Sequence, residues 1–212
     1  MNKFLQSVLF FTFSSLPFFL TYILRKKFDV SLKSKNEDNF YHQMIFIDSK
    51  NFGCKQHLID KKECGENCSF TYQKTLQNFL SSAKVSICLC AYMLTLKHLN
   101  YELIQAHKRG INVRVITDQV MLQVKPVRDN FEKLKENGIC YKVQPSINGM
   151  MHHKFCLIDK EEEELAKMFF GSLNLTSQGL VSNFDAVILT NNLNIIQRYS
   201  EEFEELWSSF KE

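Results

Sequence analysis

The sequence predicts an α/β domain, a mixed β-sheet sandwiched between helices, with one N-terminal transmembrane helix ahead of it. Three observations carry this expectation. After residue 43, short runs rich in β-branched and aromatic residues alternate with amphipathic stretches of helical period. Two of those stretches close on glycine stop signals, at Gly110 and Gly138. The segment from Phe4 to Leu24 carries no charge at all.

That first segment, "FLQSVLFFTFSSLPFFLTYIL", is long enough as a helix rising about 1.5 Å per residue to cross a hydrocarbon core of about 30 Å. Pro17 is tolerable there as a kink. No small-residue cleavage site follows, whereas Arg25, Lys26 and Lys27 do, which favours an anchor at 1–24 over a cleaved signal peptide. Lys3 is the only basic side chain before the span, so the positive-inside rule leaves the bulk of the chain facing the cytosol. Residues 25–42 read as a polar linker, and 43–212 as a single domain large enough to bury one core.

Within it, strands are expected at 44–48, 85–93, 111–118, 139–144, 152–159, 168–174 and 184–190. Helices are expected at 71–84, at 96–110, and at 126–138 with Pro126 as its start. The final helix, about 192–210, puts Ile195, Ile196, Tyr199, Phe203, Leu206, Trp207 and Phe210 on one apolar stripe.

The formal charge of the whole chain is +3, but residues 1–35 hold six basic side chains against Asp29, a net of +5 that leaves −2 for the rest. A domain of that sign cannot hold a polyanion by a general field and needs a local patch. Seven cysteines facing the cytosol should stay reduced, which turns attention to metal. Cys54, His57, Cys64 and Cys68 lie within a short insertion at 54–68 and offer three thiolates and one imidazole, a set suited to a closed structural zinc site. The alternative is four uncoordinated loop side chains. Cys88, Cys90, Cys140 and Cys156 fall in apolar strand-like runs and read as buried thiols.

The stretch "GMMHHKFCLIDK", Gly149 to Lys160, places two histidines and a lysine ahead of an apolar run. In a strand, alternation sends His152 and Lys154 to one face and His153, Phe155, Leu157 and Asp159 to the other. One imidazole and one fixed positive charge thus share a face, a combination suited to a phosphodiester. A polar strand end facing water is the plain competitor. Downstream, "GSLN" again sets two polar groups two apart, Ser172 and Asn174, as uncharged donors. Asp159, on the opposite parity, is better placed to support the strand.

Read together as H-x-K-x4-D followed by G-S-x-N, these segments resemble the phospholipase D superfamily. With the N-terminal apolar span, the cysteine/histidine insertion and "GSLNLTSQ", nearly the whole chain is similar to the Zucchini, or mitochondrial cardiolipin hydrolase, family. The resemblance implies a phospholipase D-like fold and a homodimeric phosphodiesterase on the mitochondrial outer membrane. It also implies cardiolipin hydrolysis to phosphatidate, cleavage of single-stranded RNA in piRNA biogenesis, or both, with structural zinc and no catalytic metal. It assigns the catalytic set as His152, Lys154, Asp159, Ser172, Asn174 and Asp185. His152 would form a phosphohistidine, and Lys154, Asn174 and Ser172 would hold the non-bridging oxygens. His152 of the partner subunit would protonate the leaving oxygen and then activate water.

Two features depart from the family pattern. Eleven residues, "KEEEELAKMFF", separate Asp159 from Gly171 where a shorter hairpin is usual, and they read as a solvated acidic tip. Asp185 stands where the family has a glutamate that orients the catalytic histidine, with one methylene less reach. The sequence does not choose between substrates: the tether favours lipid, while Lys108, Arg109, Lys125 and Arg128 are candidates to line a groove for RNA. The rival to an enzyme is a membrane-tethered, zinc-stabilised interaction module with a vestigial motif, which would be expected to lack the nucleophile or the charge.

Overall fold

Strand-forming residues pair here in an order that no local pattern announces. The computed structural model describes Tyr22, residues 40–145 and residues 149–211. The chain divides into two units, Met1–Phe40 and Tyr41–Glu212, and the elements below belong to the second. The predicted span at 1–24, apart from Tyr22, and the linker up to residue 39 lie outside the described residues. Among the described residues, no helix is long and apolar enough to cross a membrane.

The elements run β1 (His42–Ile47), a 3-10 turn (Ser49–Cys54), α1 (Lys55–Asp60), α2 (Ser69–Ser81), β2 (Ser86–Ala91), α3 (Lys97–Lys108) and β3 (Asn112–Asp118). A second 3-10 turn (Val120–Gln123), α4 (Lys125–Glu136), β4 (Cys140–Gln144), β5 (Lys154–Ile158), β6 (Lys167–Gly171), α5 (Ser177–Val181), β7 (Asp185–Thr190) and α6 (Leu193–Ser209) follow. All seven expected strands form one sheet in the order β1-β7-β6-β5-β2-β3-β4. The sheet is mixed: β2, β3 and β4 are parallel, and β2/β5, β5/β6, β6/β7 and β7/β1 are antiparallel.

Alternation along the strands divides the core into two layers. On β2, Ile87, Leu89 and Ala91 face one cluster, with Leu76 and Leu80 of α2, Leu99 and Leu103 of α3, and Phe131 of α4. Cys88 and Cys90 face the other, with Phe155, Met168, and Ile196 and Phe203 of α6. The predicted stripe on α6 packs there, and Asn192 caps that helix by accepting from the N–H of Asn194 and Ile195.

Three expectations need correction. Cys140 is exposed, because β4 is an edge strand and its first residue has a neighbour on one side only. The acidic tip is not wholly solvated: Ser86 Oγ donates to Glu161, and Lys160 pairs with Glu161 and Glu204 at 3.3 and 3.2 Å. Strand β5 begins at Lys154 and not at 152, because its partner β2 ends opposite it at Ala91.

Candidate active site

Because β2, β3 and β6 run one way while β5 and β7 run the other, the ends of the first three and the starts of the last two share one edge of the sheet. That edge collects Tyr92, Asp118, His152, Lys154, Ser172 and Asp185 from segments up to about ninety residues apart in sequence.

His152 stands exposed just before β5, and its ring meets Tyr92 edge-on, with centroids 4.6 Å apart at 62°. The Lys154 ammonium lies 5.0 Å from the centre of the same ring and donates to the His152 carbonyl at 2.7 Å. The two thus meet the same ring, although His152 lies just outside the strand. His153 goes to the other side, where its Nε2 lies 3.1 Å from Glu202 and its ring packs at 5.8 Å against Phe155. Lys154 is only 8% exposed, and that burial pulls its pKa below the ordinary lysine value, opposed by the charge of Asp185. Burial first, then the Lys154 charge and His153, holds the His152 imidazole below its ordinary pKa, while Asp118 acts the other way. The free-base form needed for a nucleophile is thereby favoured near neutrality.

Just past β6, which ends at Gly171 and not at the expected 174, Ser172 Oγ donates to Asp185 Oδ1 at 2.7 Å and accepts from the Ala186 N–H at 3.0 Å. Gly171 makes this possible, since a side chain there would overlap the Ala186 carbonyl to which the Ser172 N–H donates. Asn174 is half-buried, and its Oδ1 and the Oδ2 of Asp185 are buried without a hydrogen-bond partner among the described residues. Asp185 is therefore held by Ser172, and the structure shows no bond from it to the imidazole it was expected to orient.

Asp159 does not join this group. It lies at the far end of β5, where its carboxylate accepts from the N–H of Lys84, Val85 and Ser86 at 2.7 to 3.0 Å and locks β5 to the start of β2. It is buried, with φ at +51°, and cannot meet a substrate at the opposite edge.

Two residues escaped the sequence reading. Tyr92 looked like one more strand residue. Asp118 looked like a strand terminus, yet it is buried and accepts from the N–H of Val120 at 2.8 Å and of Met151 at 3.0 Å, fixing the backbone one residue before His152. A carboxylate closing the buried half of a strand, after Val115 and Ile116, was the signal available for it.

The cysteine/histidine insertion does come together. Donor atoms of Cys54, His57, Cys64 and Cys68 all lie within 4.8 Å of one another. Cys54 Sγ to Cys64 Sγ is 3.8 Å and Cys68 Sγ to His57 Nδ1 is 3.5 Å. Zinc–sulfur bonds of about 2.3 Å at tetrahedral angles place sulfurs about 3.8 Å apart, so the set fits that metal. Asn51 staples the loop by donating to the Asn67 carbonyl at 2.9 Å and to Ser69 Oγ at 3.2 Å.

Residues 76–207 match the family described as cardiolipin synthase, PLD-like domain. The chain is 30% identical over 139 residues to the mitochondrial cardiolipin hydrolase of Danio rerio, covering 66% of this chain and 58% of that protein. It is 25% identical over 173 residues to the Chlamydomonas reinhardtii protein of the same name, covering 80% and 74%. In fold it is similar to Nuc, a phospholipase D family member from Salmonella typhimurium, with TM-score 0.64, 18% identity, and 82% and 97% of the two chains covered. NucT from Helicobacter pylori gives 0.63 at 15% identity, over 81% and 98%. With the family match covering well over half of its length and these relatives beside it, the chain belongs to the phospholipase D superfamily, in the Zucchini or mitochondrial cardiolipin hydrolase family.

Proposed function

We propose that the protein is a phosphodiesterase that works through a phosphohistidine at His152. The observation that carries this is the pairing of an exposed imidazole of lowered pKa with the Lys154 ammonium, both against the Tyr92 ring. The imidazole lone pair forms the N–P bond as the P–O bond to the leaving group breaks. Lys154, with the Asn174 amide, stabilises the non-bridging oxygens during transfer, while the Ser172 hydroxyl, whose one proton goes to Asp185, holds that carboxylate beside the site. The leaving oxygen takes a proton from His152 of the partner subunit. That imidazole then removes a proton from water, whose oxygen attacks phosphorus and releases His152. As the family resemblance implies, the second imidazole would come from another copy, since this chain has one H-x-K motif and its His153 is turned to Glu202, and the chain is accordingly proposed to act as a homodimer. A vestigial module would not be expected to keep nucleophile and cation on a common ring.

Cys54, His57, Cys64 and Cys68 would hold a structural zinc with no position open for water, so the metal supports the fold and not the reaction. The apolar run at 4–24 would anchor the chain in a membrane, in keeping with the mitochondrial name of its relatives, with the domain facing the cytosol across the outer membrane. Of the two substrate readings, lipid is favoured over single-stranded RNA. Lys125 and Arg128 are each offset by a carboxylate one turn on, Asp129 and Glu132, and Arg109 is tied to the Ser81 carbonyl. Two of the four candidate cations are thus offset, which weakens the field available to a polyanion. The test is the purified full-length chain assayed side by side on cardiolipin vesicles and single-stranded RNA, with His152→Ala as control. Phosphatidate release that disappears in the variant supports the reading, and release that survives in it refutes the nucleophile.

A further inference from the structure

The two lateral edges of the sheet are finished differently. At the β4 edge Lys211 lies across the strand: the Val143 N–H donates to its carbonyl at 2.8 Å, and its own N–H donates back at 3.3 Å. At the other edge, β1 pairs only with β7 among the described residues, and its sequence HQMIFI holds no Lys, Arg, Asp, Glu or Pro. Open edges are ordinarily guarded by such residues, because a bare row of N–H and C=O groups is a template for another strand.

The face beside that edge is bare as well. Helix α6 packs on β5 and β6, with Tyr199 against Phe155 and Phe170. On the same side of β1, Met44 is 61% and Phe46 62% exposed, next to half-buried Ile188 and Ala186 of β7. Ile45 and Ile47 are turned to the opposite side, into the core.

We propose that β1 pairs antiparallel with β1 of a second copy and joins two seven-stranded sheets edge to edge. Symmetry limits the registers. A two-fold axis normal to the sheet keeps each face on its own side, so opposed residues share parity and the axis passes through a residue. With the axis at Ile45, Met44 lies opposite Phe46 of the second copy, and the reverse, while His42 lies opposite Asp48 at each end. The exposed apolar pair is then covered by its own complement, a thioether against a ring, and an imidazole faces a carboxylate. Lys50, which pairs with Asp48 at 3.9 Å, falls beyond the ladder, so no like charges are opposed. With the axis at Met44, His42 would face Phe46 and Asp48 would lie outside the pairing. Charge therefore selects the first register, and the fit of the strand to its own reverse selects a second copy as occupant.

This contact is distinct from the catalytic one. Strand β1 ends at the edge that holds the site, so antiparallel pairing turns the second copy's site to the opposite edge of the joined sheet. Each His152 stays free for the partner subunit proposed above, and the two contacts together build assemblies larger than a dimer.

The test uses the full-length chain in detergent, with mass read by sedimentation and fold by circular dichroism. Met44→Lys/Phe46→Lys charges the exposed side of the edge and is expected to lower the assembly mass at least twofold while keeping turnover of soluble bis(p-nitrophenyl) phosphate. Register is read by mixing Met44→Cys chains with Phe46→Cys chains under mild oxidation. A disulfide between residues 44 and 46, mapped by mass spectrometry, should form in the mixture, with little cross-linking at these positions in either chain alone. Unchanged mass in the lysine variant overturns the proposal and leaves the edge to another segment of the chain or to a foreign strand. So does a mixture that cross-links no better than its components, a result that also decides the matter if the lysine variant does not fold. A lysine variant that folds but loses the soluble diester rate would put β1 in the catalytic interface and overturn it too. If the native chain does not turn over the diester, the phosphodiesterase reading falls, and mass and cross-linking still decide this contact.

Discussion

Replacing Asp159 separates a residue that builds the site's scaffold from one that touches substrate. Its Oδ1 accepts from the N–H of Lys84 at 3.0 Å, Val85 at 2.7 Å and Ser86 at 3.0 Å, and its Oδ2 accepts again from Lys84 at 3.0 Å. Asp159→Ala removes every acceptor and leaves three N–H groups short of partners in a part-buried strand start. At about 1–3 kcal/mol per unsatisfied group, discounted for local relaxation and water entry, the loss is about 3–5 kcal/mol. An alanine at φ +51° adds backbone strain that an Asp or Asn tolerates. Asp159→Asn can keep its amide oxygen at the Oδ1 position, which reaches all three donors, and loses mainly the charge assistance, about 1 kcal/mol. Urea unfolding followed by Trp207 fluorescence should show that spread, and thermal unfolding should show a fall in Tm of roughly 10 °C for alanine and a few degrees for asparagine. Turnover per folded molecule at low temperature should match the native chain in both. Equal destabilisation by the two variants would refute the single-oxygen clamp, and lost turnover in folded Asp159→Asn would return the residue to the catalytic set.

Four further outcomes are expected. His152→Ala should abolish phosphodiester turnover, whereas His153→Ala, which loses a surface contact with Glu202, should keep most of it; initial rates on bis(p-nitrophenyl) phosphate decide. The native rate should fall as pH drops through a value below the ordinary imidazole 6.5, because the attacking His152 must be neutral and its pKa is depressed, with an alkaline limb belonging to the protonated partner imidazole. Tyr92→Ala should hydrate both His152 and Lys154, raise the His152 pKa and move the acid limb to higher pH, while Tyr92→Phe should restore it, since the packing comes from the ring; an unmoved profile in Tyr92→Ala removes Tyr92 from this role. Metal analysis should find one zinc per chain, and Cys64→Ser should lower the melting temperature without changing the initial rate.

Much of this was legible because each signal was local. Val, Ile and Phe runs marked all seven strands, and the spacing of His152, Lys154, Ser172 and Asn174 named the residues of the edge. The errors fall where a distant partner decides. Residues 152 and 153 look like strand by propensity, but β2 stops at Ala91 and leaves them beyond the ladder, free to carry a ring toward Tyr92 and a ring toward Glu202. Cys140 looks like a core residue until β4 is known to be an edge. The short helix Lys55–Asp60 escaped because its sequence is dominated by charges and would-be ligands, and the turn geometry around the four donors holds it. Asp118 and Tyr92 acquire their roles only when the ends of β2 and β3 meet the start of β5.

The substitution of aspartate for the family glutamate acquires a physical meaning in this arrangement. Asp185 is bonded to Ser172, whose hydroxyl also receives the Ala186 N–H, so the short carboxylate is fixed to the β6–β7 ladder. Its charge acts on Lys154, which it holds toward the protonated form against the cost of burial. The carboxylate therefore maintains the ammonium that must meet phosphate. Orientation of the imidazole passes to two other groups: the Tyr92 ring, which meets it in an edge-type contact, and Asp118, which pins the Met151 N–H at the entry to the strand. A neutral aromatic brace leaves both ring nitrogens of His152 without a protein hydrogen bond among the described residues, so neither tautomer is imposed and either nitrogen is open to phosphorus. The shorter side chain thus does not imply a dead site. It moves the task of aiming the nucleophile from a charge to a packing contact, where aromatic substitution and not carboxylate substitution should govern the pH dependence.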